Sequence, residues 1–141
     1  GGVHLLYHNH NCEFLRLSDG ESAYHLIQDE TDPEYVNFEF DSYWCAECGA
    51  DPILEMQRLG DRLKLHHIND RGTRQKGASP TPILKSDAME LGTGTMPLKE
   101  MLEIDRQAGV KAVILETHQN WIDKSPMKSM QISAEFLKEN L

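Results

Sequence analysis

Four short strings hold most of the residue types in this chain that could do chemistry. They are Tyr7-His8-Asn9-His10, Glu39-Phe40-Asp41, Leu65-His66-His67-Ile68-Asn69-Asp70 and Leu115-Glu116-Thr117-His118. Each follows or ends an apolar, β-rich run, so each would deliver an imidazole or a carboxylate at the C-terminal end of a strand. In parallel α/β folds that edge is where ligands bind. Side chains two apart on a strand share a face. His8 and His10 therefore share one face, Glu39 and Asp41 another. His67 goes with Leu65 and Asn69, adjacent His66 points the opposite way, and Glu116 goes with Ile114. A site mixing two carboxylates with one or two imidazoles suits a divalent ion of borderline hardness: Mn, Co or Zn, and Mg less readily. Such an ion polarises a carbonyl or lowers a hydroxyl pKa. A carboxylate beside it can then move a proton on and off carbon.

The elements that must position these strings read as strand then helix, four times over. The expected strands are Val3 to Tyr7, Tyr35 to Phe40, Arg62 to Ile68 and Val110 to Leu115. The helical stripes are Ala23, Leu26 and Ile27 after the Asp19-Gly20 turn, and Ile53, Met56 and Leu59 after an Asp51-Pro52 start. Leu98, Met101, Leu102 and Ala108 come next and stop at Gly109. Met130, Ala134, Leu137 and Leu141 follow Ser125-Pro126. Asp or Ser followed by Pro is a helix start, and Gly just past a stripe is a helix stop. This order predicts an α/β fold with parallel strands and crossover helices. The third unit carries a long insertion, Asp70 to Gly94, rich in Gly, Pro, Ser and Thr, and a loop of that length is usually functional or mobile.

Length and charge narrow the partners. The chain has 141 residues, enough for the single domain expected over residues 1–141. With 14 Lys+Arg against 23 Asp+Glu, the net charge of −9 supplies no basic stripe, so no nucleic-acid partner is expected. No apolar run nears the roughly 20 residues that span a bilayer, so no membrane partner is expected either. Three cysteines make no disulfide scaffold, and no signal-peptide pattern opens the chain; both point to the cytoplasm. A Gly1-Gly2 start rather than Met leads us to expect a fragment or a processed piece.

Taken together the strings resemble the sugar phosphate isomerase/epimerase family, the xylose isomerase-like TIM barrels that include inosose dehydratases and endonuclease IV relatives. The matching stretches are Tyr7-His8-Asn9-His10-Asn11-Cys12-Glu13-Phe14, then Phe38-Glu39-Phe40-Asp41-Ser42-Tyr43-Trp44 with Gly49-Ala50-Asp51-Pro52. His67-Ile68-Asn69-Asp70, Glu90-Leu91-Gly92-Thr93-Gly94 and Ile114-Leu115-Glu116 follow in family order. The resemblance implies a divalent metal at a barrel mouth, with Asp41, His67 and Glu116 as three ligands. The fourth is a Glu in many relatives. Here His8 stands at about that point, with Glu13 as the fallback. Glu116 doubles as an acid/base group, with His8 as the second catalytic residue on the first strand. His10 and Trp44 would face a sugar or polyol, Trp44 as a flat apolar wall. Asn69 replaces the Lys that many relatives carry before the Asp of the third string. A TIM barrel needs eight strands and about 250 residues. The four strands here resemble its second half, which would leave two raw sheet edges. The expectation is a homo-oligomer, a dimer rebuilding a closed sheet, or a missing N-terminal half. The implied activity is isomerase- or epimerase-type proton transfer next to a carbonyl. All of this requires Asp41, His67 and Glu116 to converge on one cation-sized point.

Two other readings compete. Trp44-Cys45-Ala46-Glu47-Cys48 looks like a thioredoxin redox site. The helix start at Asp51 lies beyond both thiols, so the motif is expected in a loop, where no helix dipole activates Cys45. A half zinc site on Cys45 and Cys48 lacks a second nearby pair. The chain could also be a non-catalytic half-barrel kept as an assembly module, for which an absence of bound divalent ion would speak.

Overall fold

The computed structural model describes residues 3–75, 77, 78 and 83–141. Four strands, β1 (Leu5–His8), β2 (Val36–Asp41), β3 (Leu63–Ile68) and β6 (Ala112–Leu115), pair in parallel in the order β1-β2-β3-β6. Helix α1 (Ala23–Glu30) follows β1, and α2 (Ser42–Glu47) and α3 (Pro52–Leu59) follow β2. Helix α4 (Leu98–Ala108) precedes β6, and α5 (Pro126–Asn140) follows it. This is an α/β fold with the strand-then-helix order expected of half a TIM barrel. Among the described residues β1 and β6 are the outer strands, so the sheet is open on both edges. No helix is long and apolar enough to cross a membrane among those residues.

The pleat divides each strand between two tasks. Phe38, Phe40 and Ile68 are buried in the hydrophobic core with Tyr24 of α1, Met56 and Leu59 of α3, and Met101 and Leu102 of α4. His66 lies on that same helix-covered side, stacked near Phe40 (6.3 Å between ring centroids). The residues between them, Glu39, Asp41 and His67, face the other way. Register fixes their neighbours: His8 pairs with Glu39, Asp41 with His67, and His67 with Ile114, two residues before Glu116.

Helix limits follow the expected chemistry at several ends. The Asp51 carboxylate caps α3 with Pro52 in its first turn, Ser125 caps α5, and Gly109 closes α4 at φ 70°, a left-handed conformation that suits glycine. Four expectations need correction. Asp41 starts an additional helix, α2, so Cys45 is helical and only Cys48 lies past its end. The insertion is not wholly a loop: β4 (Asp70–Thr73) and β5 (Ser86–Met89) pair antiparallel within it, while residues 76 and 79–82 of it lie outside the described residues. The α1 face is Tyr24, Ile27 and Gln28, with Leu26 exposed. Arg58 Nε donates to the Gln28 Oε1 at 3.0 Å, while Gln28 Nε2 has no hydrogen-bond partner among the described residues. The α5 face is built on Ser129 and Ser133, with Phe136 and Leu137 against the core; Met130 and Leu141 are exposed. Those two hydroxyls bond Glu90 and the Leu91 N–H, a polar seam that hydrophobic periodicity does not detect.

One carboxylate organises the loop between β5 and α4. Asp70 is 1% exposed and accepts backbone N–H bonds from Arg71 (2.8 Å), Gly92 (3.0 Å), Gly94 (2.8 Å) and Met96 (3.1 Å). A Cβ on Gly94 would overlap the Asp70 carboxylate and come within 2.5 Å of the Arg71 carbonyl oxygen, so close packing demands glycine there. Glu90 next door accepts from Ser129 Oγ (2.5 Å) and Ile122 N (3.0 Å) and pairs with Arg74, tying β5 to α5 and to the loop after β6.

Candidate metal centre

Asp41 is the most constrained residue of the site. Its backbone N–H donates to Asn9 Oδ1 (2.9 Å) and its carbonyl accepts from Asn9 Nδ2 (3.1 Å), so the buried Asn9 side chain pairs with it like an added strand. Its Oδ1 caps α2 by accepting Trp44 N–H at 2.9 Å. That leaves Oδ2 to face His8 Nε2 at 3.4 Å and His67 Nδ1 at 3.8 Å. Burial pushes the Asp41 carboxyl above its ordinary pKa; the Trp44 N–H and the nearby His8 and His67 oppose this without cancelling it.

His67 stands between carboxylates. Its Nε2 lies 2.8 Å from Glu39 Oε1 and its Nδ1 2.6 Å from Glu116 Oε2. Each contact needs a hydrogen or a cation between the two atoms, and a neutral ring carries one N–H only. If Nε2–H donates to Glu39, the Nδ1 side needs a second proton or a cation shared with Glu116. A histidine whose other nitrogen is held by a carboxylate is the usual arrangement behind a metal-ligating imidazole. Partial burial raises the Glu116 pKa, but the hydrogen bond from His67 and the charges of His67, His118 and His8 outweigh it. The carboxyl is held below its usual range.

The structure brings His8, Asp41, His67 and Glu116 to one point at the strand ends: one ligand atom from each lies within 4.8 Å of all the others. A single divalent ion would be within reach of all four. The donor set of two nitrogens and two carboxylate oxygens fits a borderline divalent ion. His8 Nε2 is also buried without a hydrogen-bond partner, an orphan that a coordinated cation would satisfy. Glu13 does not join them. It accepts from Tyr7 Oη (3.1 Å), His10 N (3.0 Å) and Cys12 Sγ (3.1 Å) and folds the chain after β1 instead.

His10 and Trp44 lie at the rim. The His10 ring is 4.9 Å from His8 and 6.0 Å from Trp44. Trp44 is half-buried, with the His118 ring 6.4 Å away. The alternation rule had more to give here. Glu39, two before Asp41, and His118, two after Glu116, both touch the cluster: His118 Nε2 is 3.2 Å from Glu116 Oε1. His118 also lines a cavity of about 580 Å³ whose walls include Arg74, Trp121 and Lys124. Asn9 carried no signal beyond its place between two histidines.

Cys45 is wholly buried, and burial, with the charges of Glu55 and nearby acidic groups behind it, pushes its thiol up. Cys48 Sγ donates to the Cys45 carbonyl at 3.0 Å, and neither thiol is in a disulfide. A redox thiolate needs the opposite shift, so the thioredoxin-like reading fails on environment even though Cys45 is helical.

Comparison with known proteins bears on this arrangement. Residues 1–140 match the family model of xylose isomerase-like TIM barrels. Two solved sugar phosphate isomerase/epimerases of Parabacteroides distasonis are similar. One has TM-score 0.74 and 28% identity over 94% of this chain and 44% of its own. The other has TM-score 0.75 and 25% identity over 97% of this chain and 45% of its own. A xylose isomerase domain protein of Planctomyces limnophilus shares the fold, with TM-score 0.63 at 16% identity over 98% of this chain and 45% of its own. No curated protein matches. The chain therefore spans less than half the length of these solved relatives. The family match over nearly its whole length, with the parallel half-barrel sheet, makes this chain a member of the xylose isomerase-like TIM barrel family.

Proposed function

We propose that this chain carries the metal-binding half of a sugar or polyol isomerase/epimerase-type enzyme, with His8, Asp41, His67 and Glu116 as the ligands. The observation that carries the reading is the meeting of these four side chains, one from each parallel strand end, around an orphaned imidazole nitrogen. A divalent ion (Mn, Co, Zn or Mg) held there would supply polarisation of a substrate carbonyl and acidification of its hydroxyl. Glu116 accepts a proton from the carbon beside the carbonyl and returns it. His8, across the cluster on β1, serves the opposite side. Glu39 orients the His67 ring through Nε2, and Asn9 fixes the Asp41 backbone. Trp44 and His10 offer the wall against which a sugar ring packs. The open edges at β1 and β6 would take further strands, either from a second copy in a homo-oligomer or from the other half of a longer chain.

The test is deuterium wash-in by NMR for a panel of ketoses and aldoses incubated in D2O with the Co2+- or Mn2+-loaded protein. Exchange at the carbon next to the carbonyl, lost in Glu116→Gln with the circular dichroism spectrum unchanged, supports the reading. Full exchange in the variant removes Glu116 from the mechanism. A wild-type chain that takes up no divalent ion removes the metal reading itself.

A further inference from the structure

Directly behind the candidate ligands lies a chain of polar side chains that the proposed chemistry does not use. Asp105 Oδ2 of α4 lies 2.7 Å from His66 Nδ1 on β3, and His66 Nε2 lies 2.9 Å from Ser42 Oγ at the start of α2. All three residues are at least 97% buried. The order and distances are those of a Ser-His-Asp triad. Its burial argues against a nucleophilic role: Ser42 is 0% exposed, so no substrate carbonyl reaches its hydroxyl. With Nδ1–H donating to Asp105, the single Ser42 hydroxyl proton is shared between two acceptors, His66 Nε2 at 2.9 Å and the His67 carbonyl oxygen at 3.3 Å, while Asp105 Oδ1 has no hydrogen-bond partner among the described residues.

What the chain touches gives it a different task. Ser42 follows Asp41, whose Oδ1 caps α2 and whose Oδ2 faces the candidate ligand atoms. His66 precedes His67 and points to the opposite side of the sheet. The Ser42 hydroxyl therefore joins the residue after one proposed ligand to the backbone of another, and Asp105 ties both to α4. Buried polar groups retained in an otherwise apolar layer cost stability unless satisfied; here His66 stacks against Phe40 where an aliphatic residue would serve for packing alone.

We propose that Asp105, His66 and Ser42 are positioning residues that hold Asp41 and His67 at the separation a divalent ion requires. The proposal rests on the metal reading above. It is tested by titrating Co2+ into the metal-free full chain and following both affinity and the visible absorption bands of the bound ion, with thermal melting alongside. Ser42→Ala and His66→Phe are expected to bind Co2+ about 10-fold more weakly, the lower end of the usual cost of losing a supporting group behind a ligand. Their absorption bands should change shape or intensity. Ser42→Thr, which keeps the hydroxyl, and Asp105→Asn, whose carbonyl oxygen can still accept from Nδ1–H, should restore affinity and bands. Wild-type affinity and an unchanged spectrum in folded Ser42→Ala would overturn the proposal while leaving the metal reading intact. Weakening that the Thr and Asn variants fail to rescue would overturn it as well. A wild-type chain that binds no Co2+ would overturn both.

Discussion

Replacing Asp41 by Asn should separate what the site costs from what it binds. Asn caps a helix about as well as Asp, so the bond from Trp44 N–H to the side-chain oxygen survives. The backbone pairing with Asn9 is untouched, because it uses only main-chain atoms of residue 41. What is lost is the negative charge. In the wild type that charge is held in a buried place beside the Glu116 cluster, and burial raises the carboxyl pKa. A raised pKa means the folded state binds the proton more tightly than the unfolded one, so ionised Asp41 opposes folding at neutral pH. Without metal, Asp41→Asn is therefore expected to be no less stable than the wild type. With metal the order should reverse. A ligand present at 100 times its dissociation constant stabilises the state that binds it by about 2.7 kcal/mol. For a domain of this size that raises the melting temperature by roughly 10 °C. Asp41→Asn, left with one carboxylate among its donors, should lose most of that rise. Differential scanning calorimetry of both proteins with EDTA and with excess Co2+ reads all four values. An equal metal-dependent rise in the two proteins would refute Asp41 as a ligand. A marked loss of stability in the metal-free variant would refute the argument that its buried charge is a cost.

Glu90 should behave in the opposite sense. Although its burial raises the pKa, bonds from Ser129, Ile122 and Arg74 outweigh this and hold it below the ordinary range. Its contribution is therefore present above the unfolded carboxylate pKa and lost as the pH falls through the folded one. Glu90→Gln should cost about 2 kcal/mol in urea unfolding at pH 7 and markedly less at pH 3; an equal cost at both would exclude the charge as the cause. Gly94→Ala, which drives a methyl into the Asp70 carboxylate and the Arg71 carbonyl, should cost about 1–3 kcal/mol or more. A neutral effect would mean the Asp70 clasp is looser than described. In native protein a thiol reagent at pH 8 should modify exposed Cys48 and leave Cys45 silent until unfolding; rapid reaction at Cys45 would restore the redox reading.

The order of strands and helices was legible because this fold repeats one local pattern, and parallel crossovers leave little topological choice. The convergence of His8, Asp41, His67 and Glu116 was legible for a related reason. Strand ends in a parallel sheet lie side by side, so polar residues at the ends of separate strands become neighbours without any contact pattern being read. Alternation also separated His66 from His67. What stayed hidden was whatever depends on a side chain bonding to backbone. Asp41 begins a helix through its carboxylate, which a strand-ending string does not announce. Asp70 gathers three N–H groups from a loop some twenty residues on, Asn9 pairs with Asp41 across the sheet, and Ser129 and Ser133 turn α5 by a residue from its apolar stripe. None of these alters hydrophobic period, the main signal a single sequence gives.

The two faces of β2 and β3 also divide the work of packing from that of the candidate site. Phe40 and His66 anchor the strands to the helices, and their immediate neighbours Asp41 and His67 point into the site. Each candidate ligand is thus held both by the packing of the residue beside it and by its own bonds, Asp41 to Asn9 and Trp44, His67 to Glu39 and Glu116. All four candidate donors sit on or within one residue of a strand. The groups that would meet the rest of a substrate sit elsewhere. Trp44 is on α2, His118 is in the loop after β6, and Arg74 leaves the ribbon. A change in those segments reshapes the pocket at little cost to the sheet, whereas a change in a candidate donor breaks up the cluster itself. The candidate metal cluster is accordingly built from residues of this half-barrel alone, while the segments around it and the open edges of the sheet are where its surroundings can vary.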